Sequence, residues 1–302
     1  MRVLSDWLTF FAYSVLWKFL RILPERSAYR FFDFLAARAY KRNGKRVQRL
    51  RSNYEAVAAG KSKSEIETLV RAGLASSMRY WCDTFRIGDW NVDRYSNTVS
   101  TENEHLLFDG ASSGRGVIVA LPHAGNWDHA GLYFCSKGVK VHTVAEHLRP
   151  ERLFRKFLKH RESMGMKVLD LDKSVTDQLE GFLNQGSLVA LVADRDLSRS
   201  GIDVNFFNRR ARMPAGPALL ALRTKADLIT AFVSFTKIGI HIKFKGPFSI
   251  NRGADSKIEV ARVTQELANA FAEDISADPA SWHMQQRIFI DDADFIERGK
   301  VS

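Results

Sequence analysis

At 302 residues and 45% hydrophobic composition, the chain is long enough for one large domain or two small ones and too apolar for wholesale disorder. A net charge of +11 points to an anionic partner, whether nucleic acid, a phosphorylated cosubstrate or anionic lipid. Two isolated cysteines, Cys82 and Cys135, exclude a disulfide framework and a thiolate zinc cluster, and they suit a reducing cytoplasm.

Eleven uncharged residues separate Asp6 from Lys18, whereas a membrane-spanning helix needs about 20. No small-residue cleavage site follows, which argues against a signal peptide. Trp7, Phe10, Phe11, Trp17 and Phe19 beside Arg2, Lys18 and Arg21 suit a helix lying in a membrane interface, and burial against the domain is the other reading. Pro24 closes this helix. A second starts near Ser27 and carries Tyr29, Phe31, Phe32, Phe34 and Leu35. A third spans about 45–59. Ser62 with Glu65 three positions later predicts a capping box for a fourth, rich in Leu69, Val70, Leu74 and Met78. Residues 1–90 thus read as a helical layer.

From about residue 115 the pattern changes. Val117-Ile118-Val119-Ala120-Leu121 is a continuous apolar run, as expected of a strand buried on both faces. A helix from about Trp127 to Ser136 follows, then a strand at 141–145 and a basic amphipathic helix over 150–164. A brief strand at Val168-Leu169, a helix over 175–184 and a buried strand over 188–193 continue the alternation. Residues 194–213 show no clear period. Pro214 and Gly216-Pro217 open a helix to about Thr224, two antiparallel strands follow at 228–235 and 240–246, and a helix covers about 258–275. The expectation is an α/β fold: a mixed, largely parallel sheet flanked by helices, forming one domain over 1–302 with its N-terminal helical layer.

Common motifs fail. Gly60-Lys61-Ser62 resembles the end of a phosphate-binding loop, but Glu55 stands where its first glycine belongs. Gly114-Arg115-Gly116 precedes a strand, the wrong order for a dinucleotide fingerprint, and no Gly-x-Ser-x-Gly elbow exists. His123, Asp128 and His129 lack the further ligand cluster that zinc requires. His123 itself follows a buried strand by two residues and precedes a helix, a position that favours catalytic groups in α/β sheets. Asn126 suits a helix cap and Asp128 its first turn. Gly125 permits a turn that brings His123 and Asp128 together. An imidazole can take the proton of a poor hydroxyl nucleophile, and a carboxylate on its other nitrogen fixes the tautomer.

These residues carry a resemblance. His123 to Asp128 form the His-x4-Asp motif of glycerolipid-type acyltransferases, within "LPHAGNWDHAG". "AEHLRPERLFRKFLKHRESMGMKVLDL", "LVADRDLSRSGIDVNFFNRRARMPAGPALLAL" and "PASWHMQQRIF" follow in order. Together the four blocks resemble the bacterial lipid A biosynthesis acyltransferase family, and within it the actinobacterial branch acting on mannosylated phosphatidylinositol. The resemblance implies transfer of a fatty acyl group, typically palmitoyl, from acyl-CoA to the 6-hydroxyl of a mannose. It implies no metal, no cofactor beyond acyl-CoA as co-substrate, and no covalent acyl-enzyme. His123 maps onto the general base and Asp128 onto the motif acid. Asp203 stands where the branch has a glutamate thought to bond the histidine, one methylene longer, so Asp128 and Asp203 are both candidate partners of His123. Arg161 matches an arginine near the acceptor site.

Further substrate-binding candidates are Asn126, Arg149, Arg195 and Arg212. Arg195, Arg209, Arg210 and Arg212 suit a bidentate grip on phosphate, although Arg195 between Asp194 and Asp196 also suits a structural ion pair, with both acids as scaffold. Arg149, Arg152, Arg155, Lys156 and Lys159 suit the CoA phosphates or a lipid headgroup, or a solvated face. Arg38 to Arg51 contribute a second basic cluster, to which the same two readings apply. Trp127 and Trp282 belong to an acyl tunnel or to the core, His129 and His147 to the scaffold, and His283 has no assignment. Aromatic and basic residues do not interleave as a nucleic-acid platform requires. The expected partners are acyl-CoA, a mannosylated phosphatidylinositol or similar glycolipid, and an anionic membrane surface, with the enzyme peripheral on the cytoplasmic face of the plasma membrane.

Overall fold

The computed structural model describes residues 2–145, 150–171, 174–196 and 201–290. Four helices open the chain: α1 (Arg2–Ile22), α2 (Glu25–Arg42), α3 (Lys45–Val57) and α4 (Lys63–Arg86). Pro24 separates the first two, and Asn43, at φ +46, ends α2 in the left-handed region. The expected capping box opens α4: Glu65 accepts from the Ser62 backbone N–H at 2.8 Å while Ser62 Oγ accepts from Glu65 N at 3.4 Å. Then come α5 (Val92–Asn97), β1 (Val99–Glu102), α6 (His105–Ser112), β2 (Val117–Leu121), α7 (Trp127–Ser136), β3 (Val141–Ala145), α8 (Glu151–Ser163), β4 (Lys167–Asp170), α9 (Val175–Leu183) and β5 (Leu188–Val192). The remainder is β6 (Ile202–Phe206), β7 (Arg209–Met213), α10 (Gly216–Arg223), β8 (Asp227–Phe235), β9 (Ile240–Lys245) and α11 (Ser256–Ala277).

The main sheet runs β1-β9-β8-β2-β5-β3-β4. Every neighbouring pair is parallel except β8 and β9, which share a short turn. The sheet is thus mixed and largely parallel, as the alternating elements predict. β2 lies at its centre and is buried along its whole length. Ile118 and Ala120 face a core filled from α3, α4, α9, α10 and α11, while Val117, Val119 and Leu121 face one filled from α6, α7 and α8. A third, smaller cluster of Trp17, Leu20, Phe32, Cys82 and Phe85 joins α1, α2 and α4. Burial pushes the Cys82 and Cys135 thiols up to about 12 and 11, so both remain protonated.

One stretch departs from expectation. The aperiodic 194–213 segment contains a hairpin, β6–β7, with Asp203 opposite Arg212. Its alternation is present but short: Asp203, Asn205, Arg210 and Arg212 take the outward positions while Val204, Phe206, Ala211 and Met213 point inward, and Arg209 interrupts the inward register. Phe207 and Asn208 turn it with φ of +54° and +58°, a pair of left-handed residues usually signalled by glycine.

After α11 the chain returns as a strap over 279–290. Tyr54 Oη donates to the Trp282 carbonyl at 2.9 Å, and Asn53 Nδ2 donates to the carbonyls of Met284 at 2.7 Å and Gln286 at 2.9 Å. Gln285 Nε2 donates to Ser77 Oγ at 2.9 Å. The helical layer therefore holds the strap. A Tyr54→Phe variant keeps the ring and strands a buried carbonyl, so urea unfolding should show a loss of about 1–3 kcal/mol.

Candidate active site

Two neighbouring parallel strands deliver the central pair. Leu121 of β2 sits opposite Val192 of β5. Parallel strands leave a sheet in the same direction, so residues equally far past their ends remain neighbours. His123 lies two residues beyond Leu121, and Asp194 two beyond Val192. Ala193 N donates to the Leu121 carbonyl at 2.8 Å and carries the pairing onward.

His123 Nδ1 donates to Asp194 Oδ1 at 2.5 Å, and the His123 backbone N–H donates to Oδ2 at 3.0 Å. Trp282 Nε1 donates to the same Oδ2 at 2.8 Å. Asp194 is fully buried, while the His123 side chain stays 32% exposed. Burial alone would raise the Asp194 carboxyl. The His123 ring and the three hydrogen bonds outweigh it and hold the group below the ordinary carboxylate range. An ionised carboxylate at Nδ1 leaves Nε2 as the proton acceptor.

The expectation that Asp128 or Asp203 partners His123 is therefore corrected. Asp128, in the first turn of α7, accepts from Arg161 Nε at 2.8 Å and from Tyr80 Oη at 3.1 Å. Burial opposes the Arg161 charge, but Asp128 outweighs it and raises the guanidinium. Asp203 lies on the outer face of the β6–β7 hairpin. Arg212 Nε and Arg210 Nη2 donate to it at 2.6 and 2.9 Å, and the Arg212 bond leads in holding its carboxyl down. Asp194, read from sequence as scaffold, takes the position those two were expected to fill.

Asn126 is likewise corrected as a substrate contact. It is fully buried, its Oδ1 caps α7 by accepting from His129 N at 3.0 Å, and its Nδ2 donates to Asp83 at 3.5 Å. Arg161 and Arg212 are engaged by the acids named above, and Arg195 donates to Gln286. Arg149 and His147 lie outside the described residues. Trp282 is fully buried and serves the core and Asp194 together. Trp127 meets the His123 ring edge-on at 5.9 Å and packs over Tyr80 at 4.3 Å.

The His123 loop is sewn to the strap. Gly125 N donates to Ser281 O at 2.9 Å, and His283 N donates to His123 O at 2.8 Å. Gly125 has φ +59°, and a Cβ there would stand 2.3 Å from the Val233 carbonyl, so only glycine fits. His283 hydrogen-bonds Ser76 Oγ through Nε2 at 2.8 Å and lies parallel to the Phe235 ring. Sequence reasoning left His283 unassigned and passed over Tyr80, Ser76 and Asp83. The equal two-residue offsets of His123 and Asp194 carry the one usable signal, and it becomes readable once β2 and β5 are known to be neighbours.

A profile of the bacterial lipid A biosynthesis acyltransferases matches residues 1–290. The chain belongs to the bacterial lipid A biosynthesis acyltransferase family. Among its relatives is a phosphatidylinositol mannoside acyltransferase of Mycolicibacterium smegmatis, 36% identical across 99% of this chain and 97% of that protein. One of Mycobacterium tuberculosis is 36% identical across 99% of this chain and 93% of its own length. The acyltransferase family assignment makes this chain an enzyme that transfers an acyl group.

In this acyltransferase two imidazoles near the site resist protonation. Burial, then the charge of His123, pushes His283 down to about 3, and burial pushes His129 down to about 4. Unfolded histidines titrate near 6.5. Between about pH 6.5 and 3 the unfolded chain thus binds more protons, so stability present above pH 6.5 is lost as pH falls through that window. Calorimetric unfolding midpoints should drop from pH 7 to pH 5, and His283→Asn should shrink the drop.

Proposed function

We propose that the enzyme transfers a fatty acyl group, palmitoyl in particular, from acyl-CoA to the 6-hydroxyl of a mannose on a phosphatidylinositol mannoside. His123 is the general base. The observation that carries this reading is the His123–Asp194 pair, with a partly exposed imidazole backed by a fully buried carboxylate. The acceptor class rests on the names of the two mycobacterial relatives.

Donor and acceptor sit together on the enzyme. His123 Nε2 removes the proton from the mannose hydroxyl as its oxygen attacks the thioester carbonyl. The new C–O bond forms, the tetrahedral oxyanion collapses, and the C–S bond breaks. The CoA thiolate leaves and takes up the proton from the imidazolium. Asp194 holds the tautomer and steadies the imidazolium. The acyl group passes directly between substrates, with no covalent acyl-enzyme and no cofactor in the sequence of steps.

The enzyme works as a peripheral protein on the cytoplasmic face of the plasma membrane, where its lipid acceptor and acyl-CoA meet. Supporting this, α1 exposes Trp7, Leu8, Phe11, Val15, Phe19 and Ile22. Such a face suits the interfacial layer of a bilayer. Among the described residues no helix is long and apolar enough to cross a membrane.

General-base assistance is worth about 10²- to 10⁴-fold. His123→Ala and Asp194→Asn should each lower turnover by that order while palmitoyl-CoA affinity holds. Asp128→Asn leaves the His123 tautomer intact, so its pH–rate profile should keep the wild-type shape. Mass spectrometry of products from palmitoyl-CoA and a panel of membrane glycolipids tests the acceptor. Wild-type turnover in His123→Ala would end the base assignment, and acylation of a different glycolipid would replace the mannoside.

A further inference from the structure

A groove of about 900 Å³ opens between α1 and α8, beside the turn that follows α4. Lys18, Arg21, Lys156 and Lys159 line it, and among the described residues Asp89 is the one acid of that lining. Asp89 is already gripped by Arg21, whose Nε donates to it at 2.6 Å with a second contact from Nη2. Among the described residues, Lys18, Lys156 and Lys159 have no carboxylate within ion-pair distance. The groove thus gathers three lysines for which the described residues supply no carboxylate, beside an arginine already paired.

Lys156 makes the point most sharply. Its Nζ donates to Ser14 Oγ at 2.9 Å and stands 5.0 Å from the centre of the Trp17 ring. Burial, then the charge of Arg21, lowers its pKa. A partly desolvated ammonium facing a like charge is unfavourable unless an anion joins it.

The setting selects the anion. Ser14, Lys18 and Arg21 lie on the groove side of α1 at helical spacing. Phe11, Val15 and Phe19 form the adjoining stripe of the same helix and are exposed, and exposed Ile22 borders the groove itself. A cationic pocket bordered by an apolar stripe matches a molecule whose phosphate and hydrocarbon are joined. The phosphates of acyl-CoA, by contrast, sit on its hydrophilic end.

We infer that the α1–α8 groove binds the phosphodiester of an anionic phospholipid headgroup, with the acyl chains of that lipid along the exposed stripe of α1. The inference rests on the membrane setting of the proposed function. An anionic phospholipid then seats the enzyme, and Lys18, Lys156 and Lys159 read its phosphate. α8 also carries Arg161, which grips Asp128, so a headgroup docked here leans on the helix that braces the start of α7.

The test is binding by the whole chain, read without turnover. One variant combines Lys18→Ala, Lys159→Ala and Lys156→Met, the methionine keeping the packing on Trp17. A control combines Lys140→Ala, Lys225→Ala and Lys257→Ala, all exposed and outside the groove. Probes are phosphatidylcholine vesicles with and without about 20% phosphatidylinositol, and palmitoyl-CoA. The groove variant should bind the anionic vesicles about a hundredfold more weakly. Its palmitoyl-CoA affinity should stay unchanged, and the control should lose much less. Equal losses in the two variants would reduce the effect to net charge and overturn the inference. Loss of palmitoyl-CoA affinity with intact vesicle binding would assign the groove to CoA phosphates and overturn it too. An inactive wild type that still shows the predicted binding pattern would count against the proposed reaction alone.

Discussion

The carboxylate of Asp194 is the constraint around which the site is organised. A buried charge is tolerated only when donors replace the water it has lost. Asp194 is fully buried and has three such donors. Two come from His123, and the third comes from Trp282, 88 residues further along the chain. The Trp282 indole is therefore required for a reason that begins with electrostatics and ends with chemistry. Without it, one lobe of the carboxylate loses a donor in a place water cannot reach. Placing Trp282 requires the strap, and the strap is held by Asn53 and Tyr54 of α3 and by Ser76 and Ser77 of α4. Chain segments from both ends thus converge on one carboxyl group in the middle.

The acids of the region are sorted by their partners. Asp128 has the His-x4-Asp spacing, yet a half-buried arginine and a buried tyrosine hold it. The positive end of α7 adds to that hold. Asp203 has two cross-strand arginines. Once a carboxylate has a guanidinium in bidentate or paired contact, transferring it to an imidazole would strand the arginine. Asp194 has no arginine bonded to it among the contacts described, and its donors are an imidazole, a peptide N–H and an indole. The identity of those donors leaves it as the acid able to orient His123.

Much of the fold was legible because it rests on local pattern. The apolar run at 117–121, the Ser62–Glu65 box and the strand–helix alternation each need only a short window of sequence. The β6–β7 hairpin was not, because Arg209 interrupts the inward register of a short alternation and Phe207-Asn208 replaces the usual turn residues. At the candidate site, the place of His123 past the strand end and the turn at Gly125 were readable from the apolar run and the glycine. The partner acid was not, since it depends on which strands are neighbours. Strand order is a property of the whole sheet, and spacing along the chain favoured Asp128 for the wrong reason. Five residues is a short distance in sequence, but the pair that meets is 71 residues apart.

The N-terminal helices belong to the surroundings of the candidate site as well. Asp83 of α4 accepts from Tyr29 Oη of α2 at 2.5 Å and from the Asn126 amide at 3.5 Å. Burial raises its carboxyl to about 6, against the pull of Tyr29 and Arg79. Asn126 in turn caps α7, the helix that begins with Trp127 and Asp128. Asp83 thus links α2, through Tyr29, to the cap of the helix next to His123. A surface anchor joined by a flexible linker would have no such route. Because α1 and α2 share the Trp17–Phe32–Phe85 cluster with α4, the exposed apolar face of α1 and the partly exposed His123 with its buried carboxylate are connected by packing and hydrogen bonds.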